Sequence, residues 1–239
     1  MTQVARQHFR LLTPSKALDK RVNAARPDLA DVAIAAYYFS PHYARPLPKT
    51  VTSERAGVYN KPDKNAVMVS ELLMGEVFSV LEVTGEWAWG YCVHDHYVGY
   101  VPHSALGNAQ PAKPAPAVAD FVKDAESYLN TPYVWGGRSH FGIDCSGLVQ
   151  VALASAGRDV PRDADQQMAA VGQGVGADAA LKRGDLIFFP GHVGIMTDDT
   201  NMVHATGFHG KVVIEPLADV VARVAEKHDP AILARKRLS

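Results

Sequence analysis

The run G-I-D-C-S-G-L-V-Q-V-A-L-A-S-A-G over residues 142–157 is the most informative in the chain. Leu148, Val149, Ala152, Leu153 and Ala156 recur at the spacing of one helical face, and Gly157 supplies a C-terminal cap. The run therefore predicts a helix with Cys145 at its start and Asp144 as its N-cap. Upstream, Val118, Phe121, Val122, Ala125 and Leu129 repeat the helical period, predicting a helix that ends near Asn130, before Thr131-Pro132. Downstream, residues 185–189, 192–197, 202–206 and 211–215 read as strands. Helices followed by a run of strands describe an α+β domain on an antiparallel sheet.

Further out, residues 107–117 read G-N-A-Q-P-A-K-P-A-P-A. Proline at this density forbids helix and sheet and favours an extended, semi-rigid spacer. The domain boundary belongs there, with an extension over 1–50, a first domain over 51–106 and a second over 118–239. No internal repeat links the two halves. In the first domain, the alternating runs 66–73, 77–83, 87–93 and 97–101 are broken by Gly75-Glu76, Gly85-Glu86 and His94-Asp95. Short strands with tight turns predict a small antiparallel barrel. Arg26-Pro27-Asp28 opens a predicted short helix through Ala36.

Composition narrows the function classes. The 239 residues are 47% hydrophobic and 21% charged, an ordinary globular balance. Lys plus Arg total 24 against 25 Asp plus Glu, so no net field attracts phosphate backbones or anionic lipid, and neither nucleic acid nor membrane is expected as a partner. The first twenty residues hold no apolar run longer than a pair such as Leu11-Leu12, short of the roughly 7 to 15 apolar residues of a secretory signal. With only two cysteines, Cys92 and Cys145, the expectation is a cytoplasmic protein with free thiols.

Chemistry concentrates in the second domain. A thiol at a helix N-terminus faces unpaired N–H groups and the positive end of the dipole, both favouring thiolate. His192, in Gly191-His192-Val193-Gly194, and His204, in Val203-His204-Ala205, fall on neighbouring strand candidates. Adjacent strands can hold two imidazoles side by side, one facing Cys145 and the other orienting it, the relation that acyl transfer by cysteine needs. Two other readings stay open: a buried thiol with unrelated histidines, and a zinc site of one Cys and two His, which no C-x-x-C or H-E-x-x-H spacing supports. We expect no metal and no cofactor. His94 and His96, an H-x-H pair in a turn, are assigned no function, and Cys92 reads as a buried structural thiol.

Several separated motifs then line up. Thr131-Pro132-Tyr133-Val134-Trp135-Gly136-Gly137, Gly142-Ile143-Asp144-Cys145-Ser146-Gly147-Leu148-Val149, Arg162-Asp163, Gly184-Asp185-Leu186 and Gly191-His192-Val193-Gly194-Ile195 resemble the NlpC/P60 family of papain-like cell-wall cysteine peptidases. The resemblance implies Cys145 as nucleophile, His192 as general base, His204 as the orienting third member and Tyr133 as a hydroxyl beside the oxyanion, with the Cys145 N–H as the other donor. Arg162-Asp163 reads as an ion pair supporting the cleft wall, or as a solvated helix start capped by Asp163. In the first domain, residues 69–76, Trp87-Ala88-Trp89 and Tyr97-Val98-Gly99-Tyr100-Val101-Pro102 resemble a bacterial SH3-like domain.

In the family branch that recycles muropeptides, such a barrel caps the cleft and binds the substrate's free amino end. Asp144 and Ser146 match the substrate-binding stretch. Glu76 and Tyr97 are the barrel candidates, with a turn charge and a barrel aromatic as their alternatives. The implied activity is hydrolysis of the γ-D-glutamyl-diamino acid bond of short peptidoglycan-derived peptides, releasing L-Ala-γ-D-Glu. The rivals are a wall-binding protein with an inert second domain, and an amidase or acyltransferase acting on another donor.

Overall fold

The computed structural model describes residues 17–108, 110–112, 117–118 and 120–238. Most of the stretch read for an export signal, and residues 109 and 113–116 of the linker, lie outside them.

The extension carries two short parallel strands, β1 (Leu29–Asp31) and β2 (His42–Ala44). The helix expected over 28–36 is not formed. Ala30 and Asp31 pair with Tyr43 and Ala44, and the Asp31 side chain accepts from Ala33 N at 2.9 Å, capping a single 3-10 turn over Val32–Ile34. A short acidic side chain that bonds its own backbone competes with helix continuation. Ala24 packs on Leu81 and Trp89 of the barrel, and the Arg26 guanidinium lies 4.3 Å from the Trp89 ring centroid while bonding Glu82 at 2.7 Å.

The first domain is a seven-stranded antiparallel sheet of β3 (Leu47–Val51), β4 (Arg55–Tyr59), β5 (Met68–Leu73), β6 (Val77–Thr84), β7 (Trp87–Cys92), β8 (Val98–Pro102) and β9 (Leu106–Gly107), in the order β5-β4-β8-β7-β6-β3-β9. Alternation sends Val58, Leu72, Phe78, Val80, Ala88, Cys92 and Val101 into one core. A register shift between Val80 and Glu82 turns Leu81 to the opposite face, where it meets Trp89 and the extension.

The second domain opens with α1 (Phe121–Ser127), continues through β10 (Arg138–Ser139) and β11 (Gly142–Ile143) into α2 (Cys145–Ser155), and adds α3 (Ala164–Ala170). Its sheet comprises β12 (Gln173–Gly174), β13 (Leu186–Phe189), β14 (His192–Met196), β15 (Asn201–Thr206), β16 (Lys211–Pro216) and β17 (Ala234–Arg237), with α4 (Leu217–Ala225) between the last two. The order is β12-β17-β13-β14-β15-β16, antiparallel throughout. Alternation loads both faces. Phe188, Val193, Ile195, Val203 and Ala205 pack with α1 and α2, whereas Ile187, Phe189, Met196 and Met202 pack with Val220 of α4. The sheet is thus a middle layer, with α2 against β14 and β15 on one face and α4 on the other. The fold is mixed helix and antiparallel sheet, a seven-stranded β domain followed by an α+β domain.

The two domains are joined through buried polar groups. Arg138, 2% exposed, enters the barrel, where its N–H donates to Glu71 Oε2 at 3.0 Å and its Nη1 to Glu71 O at 2.7 Å and Glu76 Oε2 at 2.9 Å. Gln150 Nε2 of α2 donates to Asp95 Oδ2 at 2.9 Å. Asp95 of the His94-Asp95-His96 turn is therefore part of the joint between the domains, while His96 stays exposed.

Candidate active site

Asp144 fixes the first turn of α2. Its Oδ1 accepts from Gly147 N at 2.7 Å and its Oδ2 from Gly136 N at 2.8 Å, so one carboxylate caps the helix and ties the Gly136 turn to it. Gly136 has φ +80°, and a Cβ there would stand 2.7 Å from Met68 O of the barrel, so glycine alone fits. Arg162 neutralises the carboxylate, with Nη2 to Oδ2 at 2.6 Å and Nη1 to Oδ1 at 2.9 Å, and Nη1 also reaches Ser146 Oγ at 2.9 Å. The Arg162–Asp163 ion pair expected from the sequence gives way to this one. A guanidinium only 1% exposed takes the carboxylate buried beside it, and Asp163 is left to line the cleft.

Cys145 is the first residue of α2, and the backbone N–H groups of Val193 and Ser146 bond its sulfur. Burial above all, then the Asp144 carboxylate, push its thiol up to about 12. The helix start is in place, but desolvation outweighs it and the resting group is a thiol. Burial, then the neighbouring His204, push His192 down to about 3, so the imidazole rests neutral as well. Tyr133 lies close enough for Cys145 and Asp144 to reinforce the effect of burial, which pushes its hydroxyl up to about 12 and keeps it a donor.

The two histidines meet directly, His192 Nε2 standing 2.7 Å from His204 Nδ1. Gly194 makes room for this, because a Cβ there would lie 3.2 Å from His204 Cβ and would collide with Met202. His204 Nε2 in turn lies 2.8 Å from Glu215 Oε1. Register explains that contact: His204 is opposite Val213 and Met202 opposite Glu215, so the two are diagonal neighbours on one sheet face. Arg223 of α4 holds Glu215, with Nη1 donating to Oε2 at 2.9 Å and Nη2 to Oε1. The sequence reading missed Glu215, seeing it only as the end of a strand. The available signal was its parity with Val213, which puts it on the face that His204 shares.

A cleft of about 370 Å³ opens over Cys145. Trp135, Met168, Phe188 and Leu233 wall it from the second domain, Val69 and Tyr97 from the barrel, and Arg21 from the extension. The Tyr97 hydroxyl donates to Asp163 Oδ2 at 3.1 Å, and Arg21 Nη1 donates to the same oxygen at 2.8 Å. Asp144 and Ser146 reach the cleft floor, but Arg162 already binds both. Glu76 lies elsewhere: Arg138 takes both its oxygens, at 2.9 and 3.1 Å, and Leu73 N adds a third bond at 2.9 Å. A buried guanidinium needs a carboxylate, and Glu76 is that partner rather than a cleft acid. Among the described residues no group of three His, Cys, Asp or Glu is arranged to hold a metal.

Residues 130–225 match the model of the NlpC/P60 family, and residues 58–106 match that of the bacterial dipeptidyl-peptidase SH3 domain. The second domain is an NlpC/P60 domain. The family is one of cysteine peptidases, which agrees with a thiol that opens a helix and is bonded by the N–H of Val193, the residue after His192. A γ-D-glutamyl-L-lysine dipeptidyl-peptidase from Bacillus cereus is 37% identical over 113 residues, 44% of this chain and 33% of that protein. Dipeptidyl-peptidase 6 from Lysinibacillus sphaericus is 44% identical over 85 residues, 36% of this chain and 31% of that protein. The chain thus covers about a third of these relatives' length. A crystal structure of an NlpC/P60 family protein from Bacillus cereus aligns with 80% of this chain and 63% of its own, at 25% identity and a TM-score of 0.44. The NlpC/P60 match includes Cys145, His192, His204 and Glu215, and the SH3 match includes Tyr97.

Proposed function

We propose that the protein is a cysteine peptidase of short peptidoglycan-derived peptides, cleaving the γ-D-glutamyl-diamino acid bond and recognising a free N-terminal L-alanine. One observation carries this reading: Cys145 lies in a cleft that the barrel helps to wall, where Tyr97 and Arg21 converge on the carboxylate of Asp163. Both of those bonds fall on Oδ2, leaving Oδ1 for a substrate ammonium. A desolvated ammonium needs such an acceptor. The Bacillus cereus relative, named as a γ-D-glutamyl-L-lysine dipeptidyl-peptidase, supports the same bond and the same release of a dipeptide. Action in the cytoplasm belongs to this reading, supported by two thiols that stand unpaired.

The proposed chemistry uses the chain's own groups. As substrate closes the site, the Cys145 proton passes to His192 Nδ1, the ring nitrogen that His204 does not engage, and the sulfur attacks the γ-carbonyl carbon. The oxyanion is met by the Cys145 N–H, one of the first-turn donors without an intrahelical acceptor, and by the Tyr133 hydroxyl. Collapse breaks the C–N bond, and His192 returns its proton to the leaving amine. Water then gives a proton to His192 and attacks the thioester, releasing the dipeptide acid and restoring the thiol. Incubation with L-Ala-γ-D-Glu-diaminopimelate, read by mass spectrometry, tests the reading. Appearance of L-Ala-γ-D-Glu and free diaminopimelate supports it, and an intact peptide refutes it.

A further inference from the structure

We propose that Glu215 sets the tautomer of both active-site histidines, acting through His204 so that the basic lone pair of His192 lies on Nδ1. The inference rests on the peptidase reading for its kinetic consequence but not for its structural one. Burial alone would raise the Glu215 carboxyl, yet the bonds from Arg223, His204 and His209 hold it at about 2, so it is ionised and can only accept. At the 2.8 Å contact with His204, the proton must therefore sit on His204 Nε2.

Burial, first among the causes, lowers His204 as well, so its ring is neutral and carries that one proton. His204 Nδ1 is then a bare acceptor, facing His192 Nε2 at 2.7 Å, and His192 has to be the donor. His192 is also neutral, so its single proton is on Nε2 and its Nδ1 is bare. The reversed arrangement would set the His204 Nε2 lone pair against a carboxylate. No other placement of one proton on each ring satisfies both contacts.

Two consequences follow. His192 presents a base on the nitrogen not engaged by His204, without any reorganisation. When the thiol proton arrives on Nδ1, the imidazolium already donates from Nε2 into a chain that ends on a negative charge, so no second proton needs to move. Arg223 and His209, whose Nε2 is 3.4 Å from Glu215 Oε2, are the other charged or titratable groups on this carboxylate, and they fix its orientation. Glu215 is thus a positioning residue, because it touches neither substrate nor thiol.

The test is ¹⁵N NMR of the histidine rings in the full chain near pH 7. The expected result is Nε2–H on both His192 and His204, and Nδ1–H on either ring overturns the proposal. A second measurement uses Glu215→Gln, whose carboxamide can donate to His204 Nε2 and so admits the reversed tautomers. We expect kcat to fall by about 10- to 100-fold with KM little changed, together with Nδ1–H signals on both rings. Unchanged kcat and unchanged tautomers in that variant, folded by circular dichroism, overturn the proposal. Should the variant not fold, the wild-type spectrum decides alone. Wild-type protein with the expected spectrum and no turnover on any muropeptide would refute the peptidase reading while leaving the tautomer assignment in place.

Discussion

Replacing Arg162 by Met removes the cation from a carboxylate that cannot follow it into water. Asp144 is 4% exposed, and in the wild type each of its oxygens receives a guanidinium N–H, at 2.6 and 2.9 Å. After Arg162→Met, the charge keeps only the N–H bonds of Gly136 and Gly147 and the weaker contact from Ser146 Oγ at 3.3 Å. Breaking a buried pair from one side generally costs about 3 to 5 kcal/mol, a large part of the roughly 5 to 15 kcal/mol that stabilises a domain. The loss extends to the domain joint, because Arg162 Nε also bonds Ser70 Oγ of the barrel at 3.2 Å. Urea unfolding reads this as a lower midpoint at an unchanged slope. Adding Asp144→Asn removes the stranded charge, so the double variant should be more stable than Arg162→Met alone. A loss below about 1 kcal/mol, the range of a solvated surface pair, would refute the claim that this pair is desolvated and holds the start of α2.

Cys145→Ala should lower turnover by roughly 10⁴-fold or more in a protein that unfolds like the wild type, since a nucleophile rather than a packing group is lost. Iodoacetamide should alkylate Cys145, which opens on the cleft, before Cys92, which is fully buried. A chelator should leave activity unchanged if the chemistry runs through the thiol and the imidazoles, and loss of activity on adding EDTA counts against that mechanism. The acid limb of kcat/KM should belong to Asp163 rather than to His192. Burial raises the Asp163 carboxyl above its ordinary 3.8, whereas His192 lies near 3, so falling pH protonates the proposed ammonium acceptor first. A limb that stays in place in Asp163→Asn would contradict that assignment.

What the sequence disclosed followed from how local the cause was. The helices beginning at Phe121 and Cys145 and the four strands from Leu186 to Pro216 are written in the apolar period of their own residues, and each forms within a few positions of where that period puts it. β17 escaped because Ala234-Arg235-Lys236-Arg237 has no alternation, and it becomes a strand only by pairing with β13. α3 is seven residues long, too short to show a face. At the site, chemistry declared by residue type was readable: the thiol at a helix start and a histidine on each of two strands. Roles that depend on register or on domain docking were not. Glu215 reaches His204 only through the pairing of β15 with β16, Arg21 reaches Asp163 only once the extension lies on the barrel, and Glu76 is claimed by an arginine from the other domain.

The central claim is tested most directly by the kinetics of one matched pair of substrates, L-Ala-γ-D-Glu-diaminopimelate and its N-acetyl derivative, on the wild type and on Asp163→Asn. Acetylation removes the ammonium and leaves Asp163 Oδ1 without its proposed partner, so kcat/KM on the wild type should fall by about 10- to 100-fold, the worth of one charged hydrogen bond. On Asp163→Asn the two substrates should come close together. Equal kcat/KM for both peptides on the wild type would contradict the account, because the cleft would then not read a free amino end.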